Sequence, residues 1–305
     1  MKIVIAGGTG LIGRRLIAQL VNRGNVVTVL TRNDSTNTLH PSVRNIRWNV
    51  NPSGDWCSEI TSADAVINLA GESIAAGRWT ANRKRRILQS RVQSTQVIVS
   101  AIKQSRHKPA VFINASAVGY YGNVPEGEVT EETVHGSGFL ADVCEQWERE
   151  AFKVRESDVR VVVLRTGIVL STDGGVLPKM LLPFKIFLGG YMGNGQQWFP
   201  WIHIDDEVRA ILFCLENHTI DGAVNLTAPD VVRMNEFCKI FGAILHRPSW
   251  FYVPSGMIKL FLGEMGTSLL LEGQRAIPRK LIENGFAFTY PDLKGALQNL
   301  VLREH

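Results

Sequence analysis

The residues with the clearest chemistry lie near the N-terminus, where Gly7-Gly8-Thr9-Gly10-Leu11-Ile12-Gly13 reads G-x-G-x-x-G from Gly8 and G-x-x-G-x-x-G from Gly7. Either count describes one device. A backbone free of side chains lets a pyrophosphate reach N–H groups and the positive end of a helix beginning at Leu11, while Gly13 lets that helix pack against its strand. Gly7, Thr9, Gly10, Leu11, Ile12 and Gly13 are therefore candidate dinucleotide-binding residues. A second group could move a proton: Ser116, Tyr120 and Tyr121 in Ala115-Ser116-Ala117-Val118-Gly119-Tyr120-Tyr121-Gly122, and His203 in Trp201-Ile202-His203-Ile204-Asp205-Asp206. Each has a plainer role open to it, as a strand-end cap, as pocket wall, or as a hydrogen-bonded residue beside the Asp pair.

The elements that must hold these residues follow from apolar spacing. Lys2 to Ala6 is a strand; Leu11, Ile12, Leu16, Ile17, Leu20 and Val21 form the apolar face of a helix ended by Gly24; Val26 to Leu30 is a β-branched second strand. An NAD enzyme carries Asp or Glu at the end of that second strand, to accept from the ribose hydroxyls. Here the end reads Leu30-Thr31-Arg32-Asn33, and the Arg32 guanidinium suits a 2′-phosphate, which favours NADP with NAD as runner-up. Asp34 would be the ribose ligand if the strand ran two residues longer.

Further strands are expected at Asn45 to Val50, Asp64 to Ala70, Ala110 to Ala115, Val159 to Leu164 and Ala223 to Thr227, with helices from Thr80 to about Gln104 and over the stripe Leu140, Val143, Cys144, Trp147, Ala151 and Val154. Cys144 lies on that stripe and reads as packing. Strands alternating with helices imply an α/β protein: a Rossmann doubly wound parallel sheet with right-handed crossovers. Beyond about Ser171 the rhythm breaks into a Gly- and Pro-punctuated stretch containing Trp198 and Trp201, which reads as a wall or flap over a pocket or as packing between two parts. The expected division is a dinucleotide-binding domain at 1–170, to which the chain returns at about 205–230. A smaller C-terminal, substrate-side domain is expected from 171–204 and 231–305.

Composition sets the class. The 305 residues are 45% hydrophobic, enough for a full core without disulfide staples. A net charge of +5 raises nucleic-acid binding as a question, but only Arg83-Lys84-Arg85-Arg86, with Arg78 and Arg91 nearby, forms a cluster. On a predicted helix it reads as a solvated face, with a basic mouth for an anionic substrate as the sharper alternative. Cys57, Cys144, Cys214 and Cys238 are far apart and suggest neither disulfides nor a zinc site. The apolar runs are too short or too broken to span a bilayer, and the first strand begins at residue 2, so no leader is expected and the cytosol is the expected location. The expected partner is a small molecule, with neither nucleic acid nor membrane.

In order, I-A-G-G-T-G-L-I-G, the strand-end Leu69-Ala70-Gly71, the A-S-A-V-G-Y-Y-G segment, Leu164-Arg165-Thr166-Gly167 and W-I-H-I-D-D resemble the extended branch of the short-chain dehydrogenase/reductases, the branch of nucleotide-sugar epimerases. Within it the chain is most similar to the atypical "epimerase family" group, over its whole length. The resemblance implies NADP binding, with Leu69, Ala70, Gly71, Arg165 and Gly167 added to the cofactor residues.

The superfamily works through a Tyr-x-x-x-Lys whose lysine lowers the tyrosine pKa, so that a proton moves as hydride moves. Here the tyrosine column holds Phe139 or Leu140 and the lysine column Val143 or Cys144; the serine column falls on Ala117, with Ser116 one place off. Two functions are left open. One is an NADP-dependent oxidoreductase or epimerase with a rewired acid/base, acting on a small, sugar-like or anionic substrate. The other is a non-catalytic NADP-binding redox sensor, division-linked as suggested for some relatives.

Overall fold

Alternate residues of the central strands belong to two separate cores, which is why these strands are apolar almost without interruption. The strands are Lys2–Ala6 (β1), Val26–Thr31 (β2), Arg44–Arg47 (β3), Ala65–Asn68 (β4), Val111–Ala117 (β5), Arg160–Thr166 (β6) and Gly222–Leu226 (β7). Ile3, Ile5, Val29, Ile67, Ile113 and Val162 face the helices Leu11–Asn22 (α1) and Ile204–Glu216 (α4), meeting Leu16, Ile17, Leu20, Val208 and Ile211. Val4, Ala6, Val66, Phe112, Val161 and Val163 face the opposite layer, where Ala81–Gln104 (α2) and Phe139–Phe152 (α3) contribute Ile98, Ile102 and Ala151. The computed structural model describes residues 1–32 and 40–302.

The sheet runs β7-β6-β5-β4-β1-β2-β3 with every pairing parallel. From β1 the chain winds outward through β2 to β3, then returns to β4 on the other side of β1 and winds the opposite way. The crevice beyond the carboxyl ends of β1 and β4 is thus the switch point, where a doubly wound sheet holds its ligand. This is the expected doubly wound fold, with strand ends shifted by a few residues.

Two helix starts show how local chemistry sets the frame. Thr80 caps α2 with its hydroxyl, accepting from the Arg83 N–H at 3.2 Å. The cap of α4 is His203, whose Nδ1 accepts from the Asp205 N–H at 3.0 Å. Asp206 faces away from solvent and accepts from the backbone N–H groups of Thr289 and Tyr290, tying α4 to the C-terminal segment.

Beyond β6 the chain builds a third core around Leu177–Lys185, Met234–Ile244 and Leu293–Leu302, with Trp201 fully buried at its centre. Leu177–Lys185 is a helix inside the Gly- and Pro-punctuated stretch, tolerating Pro178 in its opening turn, and Ser255–Gly266 is a further helix of this part. Short strand pairs stitch this part to the sheet domain: Trp201–His203 beside Ile168–Leu170, and Gln274–Ala276 beside Val124–Val129. Among the described residues no helix is long and apolar enough to cross a membrane.

Candidate functional site

At the switch point the glycines divide by what holds them. Gly7 has φ +79°, and a Cβ there would stand 2.5 Å from the Leu69 carbonyl carbon; a Cβ on Gly13 would stand 2.7 Å from Gly7 O. The chain itself demands both. A Cβ on Gly10 would meet only Gly7 O, at 3.4 Å, so the space in front of Gly10 is open on the chain's own account. Gly10 is also the N-cap of α1, which has no capping side chain and no acid in its first turn, leaving its leading N–H groups to a ligand. An open approach at an uncapped, positive helix end fits a dinucleotide pyrophosphate.

Arg32 stands exposed one residue past β2, on the β2 side of the turn. Its charge reaches Glu72 beyond β4, whose carboxyl is held below the usual range first by the Arg86 hydrogen bond and then by the Arg83 and Arg32 charges. Asp34 lies outside the described residues. The basic cluster at the start of α2 is partly neutralised: Arg83 and Arg86 both bind Glu72 at 2.6 Å, and Lys84 binds Glu264. Arg91, a turn further on, stacks over Trp147 and packs on Gly71.

On the other side of the turn from Arg32 opens a cavity of about 420 Å³, within the usual range of small-molecule sites. One wall is Ile12 of α1 with Leu69, Ala115 to Ala117 and Thr166 to Val169, at and just beyond the carboxyl ends of β4, β5 and β6. Gly167 is required there because a Cβ would lie 2.3 Å from Pro200 O. The rest of the wall is mainly apolar, with Phe139, Leu140, Val143, Trp147, Trp198 and Leu269, and carries Arg91, Ser137, Ser268, Glu272 and Gln274 as its polar residues. Trp198 thus lines the cavity while Trp201 is core. Phe139, Leu140, Val143 and Cys144, the residues in the tyrosine and lysine columns, all face this cavity. The place of the missing pair is kept, and its chemistry is not: burial pushes the Cys144 thiol up to about 12, with the Glu148 charge adding to the shift.

The expected proton-handling residues separate in space. Ser116 lines the cavity but donates to Glu148 Oε1 at 2.6 Å. Arg165, expected at the cofactor, instead grips Glu148 from the other side, Nε to Oε1 at 3.0 Å and Nη2 to Oε2 at 2.9 Å, with Nη1 donating to the Tyr121 hydroxyl. Both charges are almost fully buried, and a buried ion pair must be satisfied by such bidentate geometry. Tyr121 is buried beneath this network, donating to Asn225 at 2.6 Å, and burial raises its hydroxyl to about 12. Tyr120 stacks on the Arg165 guanidinium 3.5 Å from its ring centroid. His203 is occupied with capping α4 and packs on Tyr290. Arg165, Tyr120, Tyr121 and His203 therefore support the walls and do not line the cavity.

Sequence spacing singles out neither of two buried acids that matter here. Glu148 sits one turn beyond Cys144 on the core stripe, a position whose only warning is a charge on an apolar face. Glu207, third acid in Asp205-Asp206-Glu207, reads as ordinary helix-start polarity. Folded, it has no exposed surface and lines the cavity. Oε1 accepts from the Thr166 hydroxyl at 2.9 Å, and Oε2 has no hydrogen-bond partner among the described residues. Burial pushes its carboxyl up to about 8, the Thr166 hydrogen bond offsetting part of that.

A parallel doubly wound sheet with an uncapped glycine turn at its switch point defines a Rossmann protein, and the chain belongs to the NAD dependent epimerase/dehydratase family, which matches residues 3–226. Residues 253–300 match a domain of unknown function, DUF1731. The chain is 42% identical over 301 residues to epimerase family protein SH2119 of Staphylococcus haemolyticus, covering 98% of this chain and 99% of that one. It is 40% identical over 304 residues to the chloroplastic SDR39U1 homolog of Arabidopsis thaliana, covering 99% and 87%. A crystal structure of human epimerase family protein SDR39U1 with NADPH superposes with a TM-score of 0.88 at 32% identity, covering 99% of each chain.

Proposed function

We propose that the chain binds NADP(H) at the glycine turn and admits a small, mainly apolar molecule to the cavity beside the nicotinamide, for hydride transfer and not for nucleotide-sugar epimerisation. The observation that carries this reading is the open space before Gly10 at an uncapped helix end. Arg32 past β2 supports a 2′-phosphate at the adenosine end, in keeping with the NADPH held by the human relative. Bound there, the cofactor supplies a hydride donor or acceptor. The chain's residues supply position, an apolar surround that keeps water out, and the buried acid Glu207.

Sugar-nucleotide substrates bring many hydroxyls that a wall of Phe139, Leu140, Val143 and Leu269 would leave unpaired, at a cost of about 1–3 kcal/mol for each buried group. The tyrosine that would take the sugar's proton is replaced as well. Calorimetry with NADPH and NADH tests the cofactor. A screen of carbonyl compounds of graded polarity against the NADPH-loaded protein, read at the reduced-nicotinamide absorbance, tests the reaction. Brisk epimerisation of UDP-galactose would sink it.

The replacement of the Tyr and Lys columns by apolar residues favours one second reading, a cofactor-bound redox sensor without turnover. Tight NADPH binding with no substrate-dependent oxidation across the screen is the outcome that reading expects.

A further inference from the structure

Three features of the cavity bear on charge at its cofactor-side end. The first is position. In a doubly wound sheet the dinucleotide lies across the strand ends, and with Arg32 marking the adenosine side at β2, the ends of β4, β5 and β6 receive the nicotinamide. Glu207 stands at that end, hydrogen-bonded to Thr166 at the end of β6 and lining the cavity together with Ile12 of α1. The second is an unmet valence: Oε1 is held by Thr166, whereas Oε2 is buried without a partner among the described residues. The third is isolation from other charge. On its own helix and on the elements packed against it, Arg15 is paired with Asp173, Arg23 with Glu216, Arg165 with Glu148 and Arg209 with Asp206, and no charged group contributes to the Glu207 shift. Arg14 donates to the Thr9 carbonyl, and His203 accepts from the Asp205 N–H. On its own helix stand Asp205, Asp206, Arg209 and Cys214; Asp206 is taken up by the Thr289 and Tyr290 N–H groups and by Arg209, and burial pushes the Cys214 thiol up to about 12, which keeps it neutral.

We infer that Glu207 makes the cavity discriminate between the oxidation states of the bound nicotinamide according to pH, as a neutral acid at low pH and a carboxylate at high pH. The inference rests on the NADP(H) reading above. An oxidised nicotinamide ring carries a positive charge and a reduced ring carries none. Buried out of water, a neutral carboxyl treats the two nearly alike, while a carboxylate stabilises the charged ring. By linkage, binding of the oxidised form then releases the Oε2 proton to solvent, and binding of the reduced form does not. With its carboxyl pushed up to about 8, Glu207 changes state within the pH range where the protein can be studied.

The test measures dissociation constants of NADP⁺ and NADPH for the full chain by calorimetry, from pH 6 to about pH 9, in buffers of different ionisation enthalpy. The 2′-phosphate is common to both forms, so its own titration cancels in their ratio. The parent should shift about tenfold towards NADP⁺ as pH rises, which corresponds to a change of about one unit in the Glu207 pKa between the two complexes. At pH 7 NADP⁺ should release about 0.4 proton more than NADPH does. Glu207→Gln, which keeps an acceptor for Thr166 but cannot ionise, should give a flat ratio and equal proton release with the two nucleotides. A ratio in the parent that does not change with pH would overturn the inference, as would an unchanged pH trend in Glu207→Gln. Because the parent series and its proton count need no variant, misfolding of Glu207→Gln leaves the test standing. Failure of both nucleotides to bind would remove the cofactor reading and this inference with it, and is distinguishable from a flat ratio.

Discussion

Ser116 and Glu148 are joined by a 2.6 Å hydrogen bond, and Arg165 holds the same carboxylate from the opposite side. The hydroxyl at the cavity wall is therefore tied into a buried ion-pair network that reaches Tyr121 and Asn225. What resembles a catalytic serine column works as a brace between β5, α3 and β6.

Arg165→Met should accordingly cost about 3–5 kcal/mol of stability in urea unfolding, because it leaves the Glu148 charge buried without its partner. If Arg165 touched the cofactor directly, the variant would instead keep its stability and lose NADPH affinity.

Arg32→Ala should remove most of the preference for NADPH over NADH, a loss of about 1.5–3 kcal/mol expected for a charge-assisted contact to phosphate. Equal affinities of the parent for the two nucleotides by calorimetry would contradict this.

Gly10 and Gly13 should part company. Gly10→Val should abolish dinucleotide binding while leaving the helical circular-dichroism signal and the melting temperature nearly unchanged, since its Cβ meets only Gly7 O at 3.4 Å. Gly13→Ala should destabilise the fold whether or not nucleotide is present, because its Cβ would lie 2.7 Å from Gly7 O.

Glu207 should give stability a negative dependence on pH. Burial pushes its carboxyl in the folded chain up to about 8 from the ordinary 4.5, so between those values the folded chain holds a proton that the unfolded chain has lost, and stability falls as pH rises through that window. Between pH 6 and 9 the parent should lose about 2–3 kcal/mol through this group. Glu207→Gln should not show that loss, so the two urea midpoints should diverge with rising pH.

Cys144→Ala should leave NADPH affinity within about twofold, and the parent thiol should react with iodoacetamide at pH 8 far more slowly than half-exposed Cys57. Rapid labelling of Cys144 would mean that the thiol is less buried than its packing against Ser116 and Trp147 implies.

The Rossmann half was legible in the sequence because its determinants are local. A strand's β-branched run, a helix's three-to-four spacing and a glycine turn each depend on neighbours within a few residues, so β1, α1, β2 and the open approach at Gly10 could be read before folding. The empty Tyr and Lys columns were legible too, since residues four apart on a helix share a face. What Ser116, Arg165, Tyr121 and His203 do was not, because each is decided by a partner far along the chain: Glu148, Asn225, or a helix end formed only when α4 packs. Glu207 shows the difference most plainly. In sequence it is one of three acids at a helix start. Only the closing of α4 against α1 and β6 takes its carboxyl out of water, and removal from water is what raises its pKa.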